Sequence, residues 1–128
     1  MRSTTLACLA LLVFGHAQAT KLSFEDAKTR ADQDKEQLSD EDEKALFAAR
    51  GEFAMSTRHV CQVQGRGVRL IFTIVVKMGD DGRVAATWLD MESDYATCIR
   101  QLIEREFSMD SDAAPFFWSS KYNITVAP

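Results

Sequence analysis

His59 and Cys61 stand two residues apart, a base beside a soft ligand or nucleophile. Nucleophilic catalysis needs a nucleophile, a base and a third group that orients the base. No G-x-S-x-G elbow, phosphate-binding loop or dinucleotide fingerprint accompanies His59, so the chain is expected not to be an enzyme and to carry no cofactor. Structural zinc takes four tight ligands. Past the first nineteen residues only His59, Cys61 and Cys98 remain, and no metal site is expected. The carboxylates Asp32, Asp34, Glu36, Asp40 and Glu43 match several ligand offsets of a twelve-residue calcium loop. Gln37 stands where that loop's sharp turn needs glycine, so the run reads as a solvated helix start.

A different kind of chemistry is offered by Phe116, Phe117 and Trp118, with Tyr122 following. Alternating side chains on a strand point to opposite faces, so three consecutive bulky aromatics cannot share one core. At least one is expected to be exposed or bent back. Two readings stand side by side: a cap on the end of a sheet, or an aromatic anchor for a protein partner. Phe116, Phe117, Trp118 and Tyr122 are thus the candidate partner-binding residues.

The cysteines take their meaning from the start of the chain. Arg2, the apolar run Leu6–Phe14 and the small residues Ala17 and Ala19 have the layout of a secretory signal peptide, residues 1–19, cut before Thr20. Its apolar run is too short to span a bilayer. Cleavage removes Cys8 and His16 and leaves two cysteines in an oxidising compartment. That predicts a Cys61–Cys98 disulfide in a periplasmic or secreted protein. The pair is not a C-x-x-C, which argues against a redox role. Thirty-six residues lie between the two, a loop whose closure is worth roughly 3–4 kcal/mol in the chain-entropy model. The whole sequence has 128 residues and a net charge of −4. That size fits one small domain, and that charge argues against nucleic-acid binding.

These residues need a scaffold, and the hydrophobic pattern outlines one. Ser23 with Asp26 reads as a helix cap, opening a short helix or loosely docked acidic arm over residues 20–38. Ser39 caps a second helix with Asp40–Glu43 in its first turn and a stripe of Leu46, Ala49, Phe53, Thr57 and Val60. Gly65 and Gly67 end it. Val68–Met78 is a β-branched strand, and Gly79–Gly82 is a hairpin turn. Arg83–Asp90 returns with Val84, Ala86 and Trp88 on one face. The odd-numbered face of the first strand is apolar only in its middle, so it is expected to be partly covered or to meet a partner. Ser93 opens a helix with the stripe Tyr95, Cys98, Ile99, Leu102, Ile103 and Phe107, and residues 121–127 alternate as a last strand. The order α-(α)-β-β-α-β predicts an antiparallel two-layer α+β sandwich, a single domain over residues 39–128.

From Cys61 onward the chain resembles the C-terminal domain of TonB-type energy transducers, in particular cysteine-containing TonB-like modules of exported bacterial proteins. The likeness rests on the cysteine at a helix end, the strand Val68–Val76, the turn and strand Gly79-Asp80-Asp81-Gly82-Arg83-Val84, the helix with Cys98-Ile99-Arg100 ending in Phe107, and the last strand after Pro115. The resemblance implies a ββαβ module that recognises other proteins by pairing strands at a sheet edge. No proline-rich spacer is present, so recognition alone is implied. The expected function is a non-enzymatic protein-binding module of the periplasm or exterior. The alternative is a secreted inhibitor or immunity protein whose acidic surface blocks a toxin or hydrolase.

Overall fold

The β-branched run after Gly67 becomes the central strand. The computed structural model describes residues 21–128, and the signal-peptide reading of residues 1–19 lies outside them. The elements run α1 Phe24–Gln37, α2 Asp40–Thr57, β1 Arg69–Met78, β2 Val84–Leu89, α3 Asp94–Glu106 and β3 Phe116–Thr125. The fold is α+β, with one antiparallel sheet in the order β2-β1-β3. β1 pairs with β3 along its whole length, but with β2 only from Ile74 to Met78. No described helix is long and apolar enough to cross a membrane.

The main core lies on the even-numbered face of β1. Phe72, Ile74, Val76 and Met78 are fully buried there against Leu102 and Ile103 of α3 and Leu46 of α2. Ser39 and Ser93 cap α2 and α3, their hydroxyls accepting from Asp42 N–H and Ala96 N–H. The α2 stripe differs at its end. Val60 is 57% exposed and Cys61 is buried in its place, because the helix stops at Thr57 and the chain turns. Cys61 and Cys98 form the expected disulfide, with Cα atoms 5.9 Å apart, and tie the end of α2 to α3.

Two expectations need correction. The expected two-layer stack gains a layer, because residues 24–37 form the short helix, the one of the two readings that holds, and it docks on the sheet. Ala27 and Ala31, at 0% and 2% exposure, pack one turn apart on Val75, Phe117 and Trp88 of the odd-numbered face. Small side chains let the helix approach closely. Two polar ties hold it: Trp88 Nε1–H donates to Leu22 O at 2.7 Å, and Phe117 N–H to Asp34 Oδ2 at 2.7 Å. The apolar middle of that face is therefore covered from within the chain. The second correction concerns β2. Lys77 pairs with Ala86 but Met78 pairs with Val84, so Ala85 is an extra residue. This bulge turns Val84 onto the main core with Leu89, while Trp88 faces α1.

Gly82 closes the hairpin at φ 76°, where a Cβ would come 2.5 Å from Met109 O. Its own carbonyl accepts from Met109 N–H at 3.0 Å, which fastens the turn to the segment after α3.

Candidate functional site

Strand β3 carries the aromatic triplet and one border of the sheet. Phe116, Phe117 and Trp118 are exposed by only 4%, 6% and 5%, which corrects the expectation that at least one would stand free. The sheet is covered on both faces at this point, so alternation buries all three. Phe116 and Trp118 enter the main core, where the Trp118 ring lies 4.8 Å from that of Phe107. Phe117 faces α1, with its ring 5.7 Å from Trp88 and the Arg30 guanidinium 5.5 Å from its centroid. The triplet is an internal cap on the sheet. Trp118 Nε1 is buried and has no hydrogen-bond partner among the described residues. Tyr122 is half-buried and stacked on Phe72, with centroids 4.9 Å apart. Burial pushes its hydroxyl pKa above the ordinary value, partly offset by the Arg50 charge and a hydrogen bond with Ser120.

The backbone of β3 matters more than the triplet. Phe117 N–H points away from β1 to Asp34, whereas Val126 N–H bonds Val68 O. In an antiparallel ladder the N–H and C=O of one residue point the same way, and successive residues alternate. Even-numbered residues of β3 therefore bond β1, and Ser119, Lys121, Asn123 and Thr125 direct their backbone groups outward. Among the described residues no strand pairs with that border. The last turn of α1 covers its near end, where Asp34 takes the Phe117 N–H, and among the described residues no strand covers the border beyond it. The opposite border is less suitable. β2 has six residues, is interrupted by the bulge, and has Asp90 Oδ1 accepting from Thr73 N–H where it ends.

Helix α2 overhangs the open border. A groove of about 460 Å³ runs between them and reaches α3 at Tyr95 and Ile99; its lining includes Phe47, Arg50, Gly51 and Ala54 from α2 and Trp118, Ser120 and Tyr122 from β3. Arg50 sits half-buried with its guanidinium 5.5 Å from the Trp118 centroid, and Nη2 donates to Ser120 Oγ at 2.8 Å. Among the described residues no carboxylate lies within 4.0 Å of it. Phe47 is 78% exposed, the most open of the large apolar side chains among the described residues. Sequence reasoning passed over Phe47, Arg50 and Gly51. The one available signal was a glycine inside a helix, a mark of close approach or open space.

The remaining candidates are dispersed. His59 is exposed after α2, its Nε2 accepting from Arg58 Nε–H at 3.0 Å. Cys61 is committed to the disulfide. Asp42 accepts from Ser39 and Ser111, and Asp34 clamps β3. Among the described residues no group of three His, Cys, Asp or Glu side chains is placed to hold a metal.

Comparison of the chain with protein-family models, with curated proteins and with solved structures finds no match.

Proposed function

We propose that this chain is a non-enzymatic protein-binding module of the periplasm or cell exterior. It adds an extended segment of a partner protein to the outer border of β3. The open run of backbone donors and acceptors from Ser119 to Thr125 carries this reading. Such groups are a template for a further strand, and in this sheet β3 is the long, unbulged border. The disulfide suits an oxidising compartment. The TonB-like residue pattern supports edge recognition, and the contact residues shift from the aromatic triplet to the odd-numbered backbone of β3 together with Tyr122.

Selection of extended peptides from a displayed random library against the disulfide-bonded protein tests the proposal. Ser119→Pro with Asn123→Pro removes two outward N–H groups and leaves the inner ladder donors in place. Proline is tolerated on such an edge. Selected peptides should lose at least tenfold in affinity to this double variant, provided it still melts cooperatively, and keep their affinity for Asp81→Ala at the hairpin tip. Failure to enrich any peptide, or binders indifferent to both prolines, would overturn the reading. Binders lost instead on Asp40→Asn with Glu41→Gln would replace it with the inhibitor reading, in which the acidic start of α2 enters a basic site.

A further inference from the structure

The geometry points to a specificity groove beside the border. It reads an acidic side chain and, two residues along the same strand, an apolar one. This inference rests on the edge-addition reading above and names the chemistry of the partner segment.

A strand bonded to the outward groups of Ser119, Lys121 and Asn123 places every second side chain beside Trp118, Ser120 and Tyr122, because faces alternate across a sheet. Those three β3 side chains line the groove on the sheet side. Its opposite wall is the α2 row Phe47, Arg50, Gly51 and Ala54, residues that helical spacing gathers on one side. The added strand's even-face side chains therefore enter the space between helix and strand.

Two observations define what fits there. The first is charge. Arg50 has five donors in a planar fork, and one bond to a neutral hydroxyl leaves most of them free. The guanidinium is half-buried over Trp118, and no described carboxylate lies within ion-pair distance. A carboxylate answers the fork with paired, charge-assisted hydrogen bonds, and the Ser120 hydroxyl stands beside it. Lys121 reinforces this from the other face of the border. It is exposed and also without a described carboxylate partner. A cation at mid-edge opposes pairing between two copies of this chain and favours an acidic strand.

The second observation is apolar room. Phe47 stands exposed at one end of the row, and a Cβ built on Gly51 meets nothing within 4 Å. Glycine in a helix interior costs stability relative to alanine, and here it keeps the groove wide opposite β3. An aliphatic side chain two residues from the acid spans about 6–7 Å of strand and covers Phe47 and the gap at Gly51.

The test uses two fluorescein-labelled extended peptides of threonine and valine, one centred on Asp-Thr-Leu and one on Asn-Thr-Leu. Binding to the disulfide-bonded protein is read by anisotropy. The aspartate peptide should bind at least tenfold tighter than the asparagine peptide. That ratio should fall close to one in Arg50→Gln. Gly51→Leu should weaken the aspartate peptide at least tenfold while melting no lower than the unaltered protein, so lost binding is not lost folding. Equal binding of the two peptides, a ratio unchanged by Arg50→Gln, or no binding of either overturns the inference. Binding that is lost in Asn123→Pro yet indifferent to Asp or Asn overturns the groove and leaves the edge. Binding that survives Asn123→Pro overturns the edge reading, and this inference with it.

Discussion

Removing the disulfide is the perturbation whose size follows most directly from the chain. Cys61 and Cys98 are 37 positions apart, and the chain-entropy model assigns roughly 4 kcal/mol to a loop of that length. Replacing both by alanine also removes sulfur atoms from the join between α2 and α3, where Cys61 is buried, adding on the order of 1 kcal/mol. A domain of this size has about 5–15 kcal/mol in all, so the double variant should lose a large fraction of its stability. In urea titrations the midpoint should fall sharply, and the slope should not decrease, because the unfolded chain becomes more expanded. Local exchange should change as well. The amides of Thr57 to Cys61 should lose protection before those of β1, since the bridge fastens the end of α2. A loss below about 1 kcal/mol would show that the bridge constrains little and would refute the reasoning.

Other outcomes follow from single contacts. Gly82→Ala places a Cβ 2.5 Å from Met109 O at a positive φ and should cost at least about 2 kcal/mol. Gly51→Ala, in open helix surface, should add about 0.5–1 kcal/mol; urea unfolding reads both. Asp34→Ala removes the acceptor of Phe117 N–H and should destabilise by about 1–3 kcal/mol, with faster exchange at Phe117 and through α1. Burial holds the Tyr122 proton above its unfolded value of 10.0. Its contribution is therefore complete below pH 10.0 and lost as pH rises through the folded value. Stability should be flat in this respect up to about pH 9 and fall above about 10, less steeply in Tyr122→Phe; the remaining slope includes Tyr95, which burial also raises.

Much of this arrangement is legible in the residues. The β-branched run after Gly67, the turn Gly79–Gly82 and the apolar stripe through Cys98 each carry a period or a turn chemistry that admits one local structure. The cysteine pair follows from counting. What was not legible depends on registers between elements. The bulge at Ala85 reverses the facing of Val84, and nothing local marks it, because Val84, Ala86 and Trp88 alternate as a regular strand would. The docking of α1 rests on Ala27 and Ala31, whose small side chains give almost no hydrophobic signal. The burial is supplied by Val75, Phe117 and Trp88. The same omission left the aromatic triplet open between an internal cap and a partner anchor: without α1 on the second face, Phe117 would be exposed. The groove was hidden for a related reason. Arg50 and Gly51 read as ordinary members of a helix until β3 is seen to run beneath them.

Hydrogen exchange along β3 tests the central claim most directly. In the free protein Trp118, Ser120 and Tyr122 amides should exchange slowly and Ser119, Lys121 and Asn123 quickly, because only the first set bonds β1. Addition of a selected peptide should protect the second set and leave the first unchanged. Protection that appears elsewhere, with Ser119, Lys121 and Asn123 still exchanging quickly in the complex, would contradict the account.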